Sequence, residues 1–292
     1  PLSGRDGDKV TSRVLGARLM REAEGNVAIS VEMSANDDTF EVKGRGELQL
    51  GVLIETLRRE GFELSVSRPR VLYRNDPETG ARQEPIEEVL VDVDDAFVGT
   101  VVEAFGERRG ELTDMRPSGG GKTRLAFLAP SRGLIGYHGV FLNDTRGTGV
   151  MSRLFHGYTD HRGTIAGRRT GVLISNSQGQ SVPYALWNLE ERGILFIGPG
   201  TGVYGGMIIG EHSRGNDLEV NPLKTKQLTN IRAAGKDDAV KLTTPRTLRL
   251  EEAIAYIEDD ELVEVTPKAI RMRKRQLDPL ARKRESRRVE AG

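Results

Sequence analysis

The sequence has no cysteine, one tryptophan and only 5% aromatic residues. The first absence excludes disulfides and thiolate metal sites. No stretch of about 18 apolar residues occurs, so no membrane-spanning helix and no membrane partner are expected. No charged start followed by an apolar run marks a secretory leader. A cytoplasmic location fits these absences. Net charge is absent too, since 43 Lys and Arg offset 43 Asp and Glu. That balance is local nowhere. Residues 251–264 carry seven acids, whereas residues 268–288 carry ten Lys or Arg against Asp278 and Glu285. A neutral total therefore hides basic segments.

At 292 residues the chain has room for roughly two or three domains. In the first, residues 1–83, a helix is predicted from Lys9 to Glu24, closed by Gly25. Alternating Val27, Ile29, Val31 and Met33 predict a half-buried strand, and Phe40 and Val42 a second. Leu50, Leu53, Ile54 and Leu57 form one helical stripe, and Phe62, Leu64 and Val66 a third strand. This α-β-β-α-β order is a split β-α-β sandwich lacking its first strand, which is expected upstream in a longer protein. Residues 84–160 give the complete pattern. Val89, Val91 and Val93 mark a strand, Val98, Val101, Val102 and Phe105 a helix, and Glu111–Arg116 and Lys122–Leu128 two strands. Gly133–Asn143 reads as a second helix and Thr148–Phe155 as a last strand. Residues 161–292 are rich in glycine and short strands. One helix there is striped by Leu250, Ala253, Ile254 and Ile257, Leu262–Val265 is a strand, and the basic chain beyond Pro267 is expected to fray. The fold class is α+β: two ferredoxin-like split β-α-β domains, then a β-rich domain.

Residues Asn221 to Lys236 form a basic loop with no acid. It holds Lys224, Lys226, Arg232 and Lys236 among amides and hydroxyls such as Gln227 and Asn230. With few apolar groups to bury, it gains little by folding on itself. Cations and amides suit a phosphate backbone, and taken alone they equally suit a solvated surface. His212 lies beside Arg214 and Asn216, and could touch RNA or be an ordinary histidine.

Other motifs fail on context. Gly121-Lys122-Thr123 resembles the end of a phosphate loop, yet Arg116 stands where its first glycine belongs and a strand follows. A glycine hairpin is the better reading. The Gly200–Gly205 string matches a dinucleotide fingerprint in letters, but no helix follows it. His156 and His161 have no carboxylate cluster at metal spacing. Asp92, Asp94 and Asp95 suit a helix start rather than acid–base work. Arg58-Arg59 and Arg108-Arg109 end helices and are either solvated or available to RNA phosphates.

Several strings together resemble known proteins. Gly44–Leu50 and Arg58–Leu64 look like the third domain of translational GTPases related to elongation factor G. Glu84–Glu87, Glu107–Gly110 and Pro130–Gly136 look like their fifth domain. Gly171–Asn176, Ile208–Arg214, Asn216–Asn221, Leu228–Ala233 and Asp259–Pro267 are similar to the C-terminal domain peculiar to the TypA/BipA family. The resemblance implies the ribosome-binding half of a GTPase tied to large-subunit assembly and to growth under cold or other stress. It implies large-subunit rRNA and A-site tRNA as partners, a monomer, and the basic loop as the contact. Lys224, Lys226, Gln227, Asn230, Arg232 and Lys236 would make that contact, flanked by His212, Arg214 and Asn216. No complete phosphate loop and no Asn-Lys-x-Asp string occurs. This chain is therefore expected to hold no cofactor and to do no chemistry, with GTP and magnesium belonging to a nucleotide domain outside it. The alternatives are a nucleotide-binding enzyme, or a module whose basic tail docks on an acidic protein.

Overall fold

The computed structural model describes residues 1–34, 39–225 and 241–290. It is α+β and divides into two compact units, residues 1–68 with 168–292, and residues 69–167.

The first unit begins with helix α1 (Ser12–Gly25), strands β1 (Ser30–Met33) and β2 (Phe40–Lys43), and helix α2 (Glu47–Arg59). β1 and β2 pair antiparallel. Leu19, Ile29, Leu53, Leu57 and Phe62 close a small core beneath the two helices. The predicted stripe is thus realised with Leu53 and Leu57 facing inward, while Ile54 packs toward a second core. Strand β3 (Leu64–Ser67) does not join β1 and β2. It pairs with a strand some two hundred residues later, as described below.

The second unit contains β4 (Arg74–Asn75), β5 (Arg82–Asp94), a 3-10 turn at Asp95–Phe97 and α3 (Val98–Glu107). It continues with β6 (Glu111–Gly119), β7 (Lys122–Pro130), α4 (Ser131–Leu134), α5 (Tyr137–Asp144) and β8 (Val150–Asp160). β5 lies between β8 and β7, with β6 outside β7 and all pairings antiparallel. That order, with α3, α4 and α5 packed into one core against the sheet, is the split β-α-β arrangement. The expected single helix over 133–143 is two, because Gly136 sits in the left-handed region at φ 71°. Val89, Val91 and Val93 alternate onto a core that holds Phe105 stacked on Phe127 at 4.0 Å and Tyr137 edge-on to Phe105 at 5.2 Å. Burial pushes the Tyr137 phenol up to about 12.

The chain then returns to the first unit. It forms β9 (Val172–Ser175), β10 (Gly179–Gln180), α6 (Pro183–Glu190), β11 (Gly193–Leu195), β12 (Gly202–Val203), β13 (Met207–His212) and β14 (Leu218–Val220). After residue 241 come α7 (Leu250–Tyr256), β15 (Glu261–Val265), β16 (Ile270–Lys274) and α8 (Pro279–Glu290). A seven-stranded sheet runs β14-β9-β13-β16-β15-β3, with β11 also on β13. α7 begins at Arg249, whose backbone N–H is accepted by Glu252 Oε2 at 2.8 Å, half of a capping box. The tail beyond Pro267 does not fray at once. Met272 of β16 is a core residue between β13 and β15, and α8 follows.

Candidate nucleic-acid interface

The basic loop leaves the edge of the seven-stranded sheet at β14; the chain is anchored at its near end and again from Leu242 onward. On the near side, the Asn221 side-chain oxygen accepts the Leu223 N–H at 2.8 Å, an Asx turn. The Pro222 carbonyl accepts the Val182 N–H at 3.0 Å, at the start of α6. Leu223 packs against the core of β9, β13 and α6. Lys224, next in the chain, is exposed. On the far side, Leu242 packs into the same core. Glu190 of α6 accepts the Thr243 N–H at 2.7 Å and its hydroxyl at 2.5 Å. Arg246 donates its backbone N–H to the Leu195 carbonyl at 2.8 Å and pairs with Glu211 at 3.3 Å. Lys226, Gln227, Asn230, Arg232 and Lys236 lie outside the described residues. Lys224 and both anchors of their loop lie within them.

The turn from β13 to β14 sorts the three flanking residues. Arg214 and Asn216 are exposed. His212 is buried, and its Nδ1 lies 2.5 Å from the Asn216 carbonyl. A carbonyl only accepts, so Nδ1 carries the proton. The imidazole is a brace for the turn and not a surface contact, which corrects the expectation for His212. Its burial follows from its place on an inner strand, where backbone comes unusually close. A Cβ at Gly193 would lie 1.8 Å from the Glu211 carbonyl oxygen.

A charged web beneath this turn was not legible as a site. Lys274 Nζ lies 2.6 Å from Asp217, 2.8 Å from Asp260 and 2.9 Å from Glu261, with its side chain 4% exposed. Arg168 meets the fully buried Glu261 carboxylate with both guanidinium nitrogens, at 2.9 and 3.0 Å, and lies over the Tyr256 ring at 4.5 Å. Burial alone would raise the Glu261 carboxyl. The hydrogen bonds from Arg168 and the charges of Lys274 and Arg168 outweigh it and hold the carboxyl below its usual range. Asp217 also accepts the Val172 N–H at 2.9 Å. The web thus ties β9, β15, β16 and the His212 turn together. Arg271 and Arg273 are likewise taken up, by Asp6 and Glu264. The basic run starting at residue 268 is therefore half interior. The charges of Arg271, Arg273 and Lys274 are spent on the fold and not offered to a partner.

A model of the TypA/BipA C-terminal domain matches residues 170–279, and one of the elongation factor G C-terminus matches residues 81–169. A large ribosomal subunit assembly factor BipA from Haemophilus influenzae is 53% identical over 288 residues, 98% of this chain and 46% of that protein. The protein of the same name from Escherichia coli K12 is 51% identical over 98% of this chain and 47% of its own length. A third, from Synechocystis, is 49% identical over 94% of this chain and 46% of its own. The chain belongs to the TypA/BipA family. It spans just under half the length of the relatives it matches.

Within that family frame, the motifs that suggested nucleotide or metal chemistry resolve as structure. Gly119, Gly120 and Gly121 all have positive φ and form the β6–β7 hairpin. A hairpin followed by a strand aims no helix N-terminus at a phosphate, so these residues do not fit GTP or its magnesium. The Gly200 loop runs into β12, not a helix. Among the described residues no group of His, Asp and Glu could hold a metal. Of the paired arginines, Arg58 donates to the Thr266 carbonyl at 2.9 Å and Arg108 lies 4.2 Å over Tyr137. Arg59 remains exposed, beside Glu55 at 3.0 Å.

Proposed function

We propose that this chain is the ribosome-docking portion of a large-subunit assembly factor, and that it works by binding rRNA and not by catalysis. The observation that carries the reading is the run 221–236, basic and without an acid, which follows Val220 in a stretch anchored at Pro222 and Leu223 and again at Leu242 and Thr243, with Lys224 exposed. Lys224, Lys226, Arg232 and Lys236 supply phosphate contacts, Gln227 and Asn230 supply hydrogen bonds to a shaped RNA surface, and Arg214 and Asn216 stand beside them. The names of the relatives support the ribosomal large subunit as the partner. The aminoacyl end of an A-site tRNA is the second RNA the loop would meet. In the longer protein, GTP with magnesium would bind outside these residues and bias docking through a change of conformation. The protein would act in the cytoplasm as a monomer, in subunit assembly during cold or other stress.

Titration of the chain against isolated large subunits over a range of salt tests this. With about four loop cations on phosphate and single-strand-like geometry, log affinity falls against log salt with a slope of roughly −3. Lys224→Ala with Lys226→Ala flattens that slope. An unchanged slope moves the contact off the loop. Micromolar binding of ATP, GTP or NAD by this chain in equilibrium dialysis would favour a nucleotide enzyme instead.

A further inference from the structure

We infer that helix α8 is a second phosphate-binding element, docking on ribosomal RNA beside the basic loop. The inference rests on the RNA-docking reading above. α8 begins where the matched C-terminal-domain model ends, at residue 279. Its first turn is capped by Asp278, which accepts the Leu280 and Ala281 N–H groups at 3.1 and 3.3 Å. Arg282 then fastens the helix to the sheet. It pairs with Glu219 of β14 and donates to the carbonyls of Gln276 and Leu277, both at 2.7 Å. Glu219 stands five residues before Lys224 on the strand that launches the loop. One strand therefore holds both basic elements.

Beyond Arg282 the helix exposes Lys283, Arg284, Arg287 and Arg288. Four-residue spacing stacks Lys283 on Arg287 and Arg284 on Arg288. Among the described residues none of these four has a carboxylate partner. The contrast lies within one basic run, since Arg271, Arg273, Lys274 and Arg282 are all neutralised. The bland reading is a solvated face with cations complementing the helix dipole. It fits Arg287 and Arg288 in the last turn. It leaves unexplained Lys283 and Arg284, mid-helix and beyond the reach of the dipole at either end, and two like-charge pairs that weaken the helix. A polyanion relieves every one of these terms. Three of the four are arginines, whose planar fork suits phosphate. The helix has only Leu280, Ala281 and Val289 as apolar residues, too few for the buried face that membrane-surface helices need.

The test replaces Lys283, Arg284, Arg287 and Arg288 with Gln in the whole chain. Gln keeps helix propensity and removes the repulsion, so circular dichroism should be unchanged. The pair Lys283→Gln with Arg284→Gln gives a milder variant that reads about half the effect. With about three of the four cations on phosphate, the salt slope for binding large subunits becomes shallower by roughly 2. Over a fourfold range of salt, that removes an affinity change of about fifteen-fold. An unaltered slope overturns the inference and leaves the loop reading standing. Failure of the unsubstituted chain to bind subunits at all defeats both. Loss of binding to phosphatidylserine vesicles, with subunit binding intact, would assign the helix to lipid and likewise overturn it.

Discussion

Lys274 shows how one residue can serve the fold where its neighbourhood suggests a partner. Its buried ammonium faces three carboxylates, of which Glu261 is fully buried and Asp217 and Asp260 reach solvent. Removing one member of a buried ion pair strands the rest, at a cost of about 3–5 kcal/mol. Lys274→Met is expected to lose that much stability in denaturant titration. A loss below about 1 kcal/mol would contradict the assignment. The same variant should shift acid unfolding. Glu261 has a folded carboxyl value below the ordinary one of about 4.3. Its contribution is therefore present above the ordinary value and lost as pH falls through the folded value. Without Lys274 the folded value rises, so acid unfolding begins at a higher pH than in the unsubstituted chain. His212 carries a related lesson. Beside Arg214 and Asn216 it read as a surface group, yet a strand alternates its sides and its partner was a carbonyl four residues away.

Strand β16 is the element on which the first unit turns. It lies between β13 and β15, contributes Met272 to the core and supplies Lys274 and Arg273. The sequence led to an expectation of fraying here because the chain beyond Pro267 becomes basic. Of the carboxylate partners of Arg271, Arg273 and Lys274, Glu261 and Glu264 stand on the preceding strand β15, whereas Asp6 and Asp217 come from distant segments that no local window contains. Truncation after Val265 is expected to abolish cooperative unfolding of this unit while leaving residues 69–167 folded, as read by hydrogen exchange. Survival of protection in β13 and β15 would refute that. Where the signal was local, the reading held. The Val89–Val93 strand, the Val98–Phe105 helix and the Gly119–Gly121 hairpin each sit where period and glycine placed them. The same limit explains β3. Leu64 and Val66 announced a strand, but nothing near them announced β15 as its partner.

At the scale of the molecule, the zero net charge conceals a division of labour among the cations. One set is buried with carboxylates and builds the sheet. The other, which includes Lys224 and the exposed cations of α8, lies beside strand β14, Lys224 four residues after its end and α8 fastened to it through Arg282 and Glu219. The composition of 221–236 was readable without any structure, because its lack of acids and shortage of large apolar residues are visible in the letters. Its anchoring was not, because Glu190, Leu195 and Val182 reach it only through the fold. The measurement that bears most directly on the central claim is a hydroxyl-radical footprint of the chain on large ribosomal subunits, with and without tRNA in the A site. The account predicts a compact protected patch of rRNA that disappears with Lys224→Ala and Lys226→Ala and extends onto the tRNA end when it is present. An rRNA pattern identical with and without the chain would contradict it.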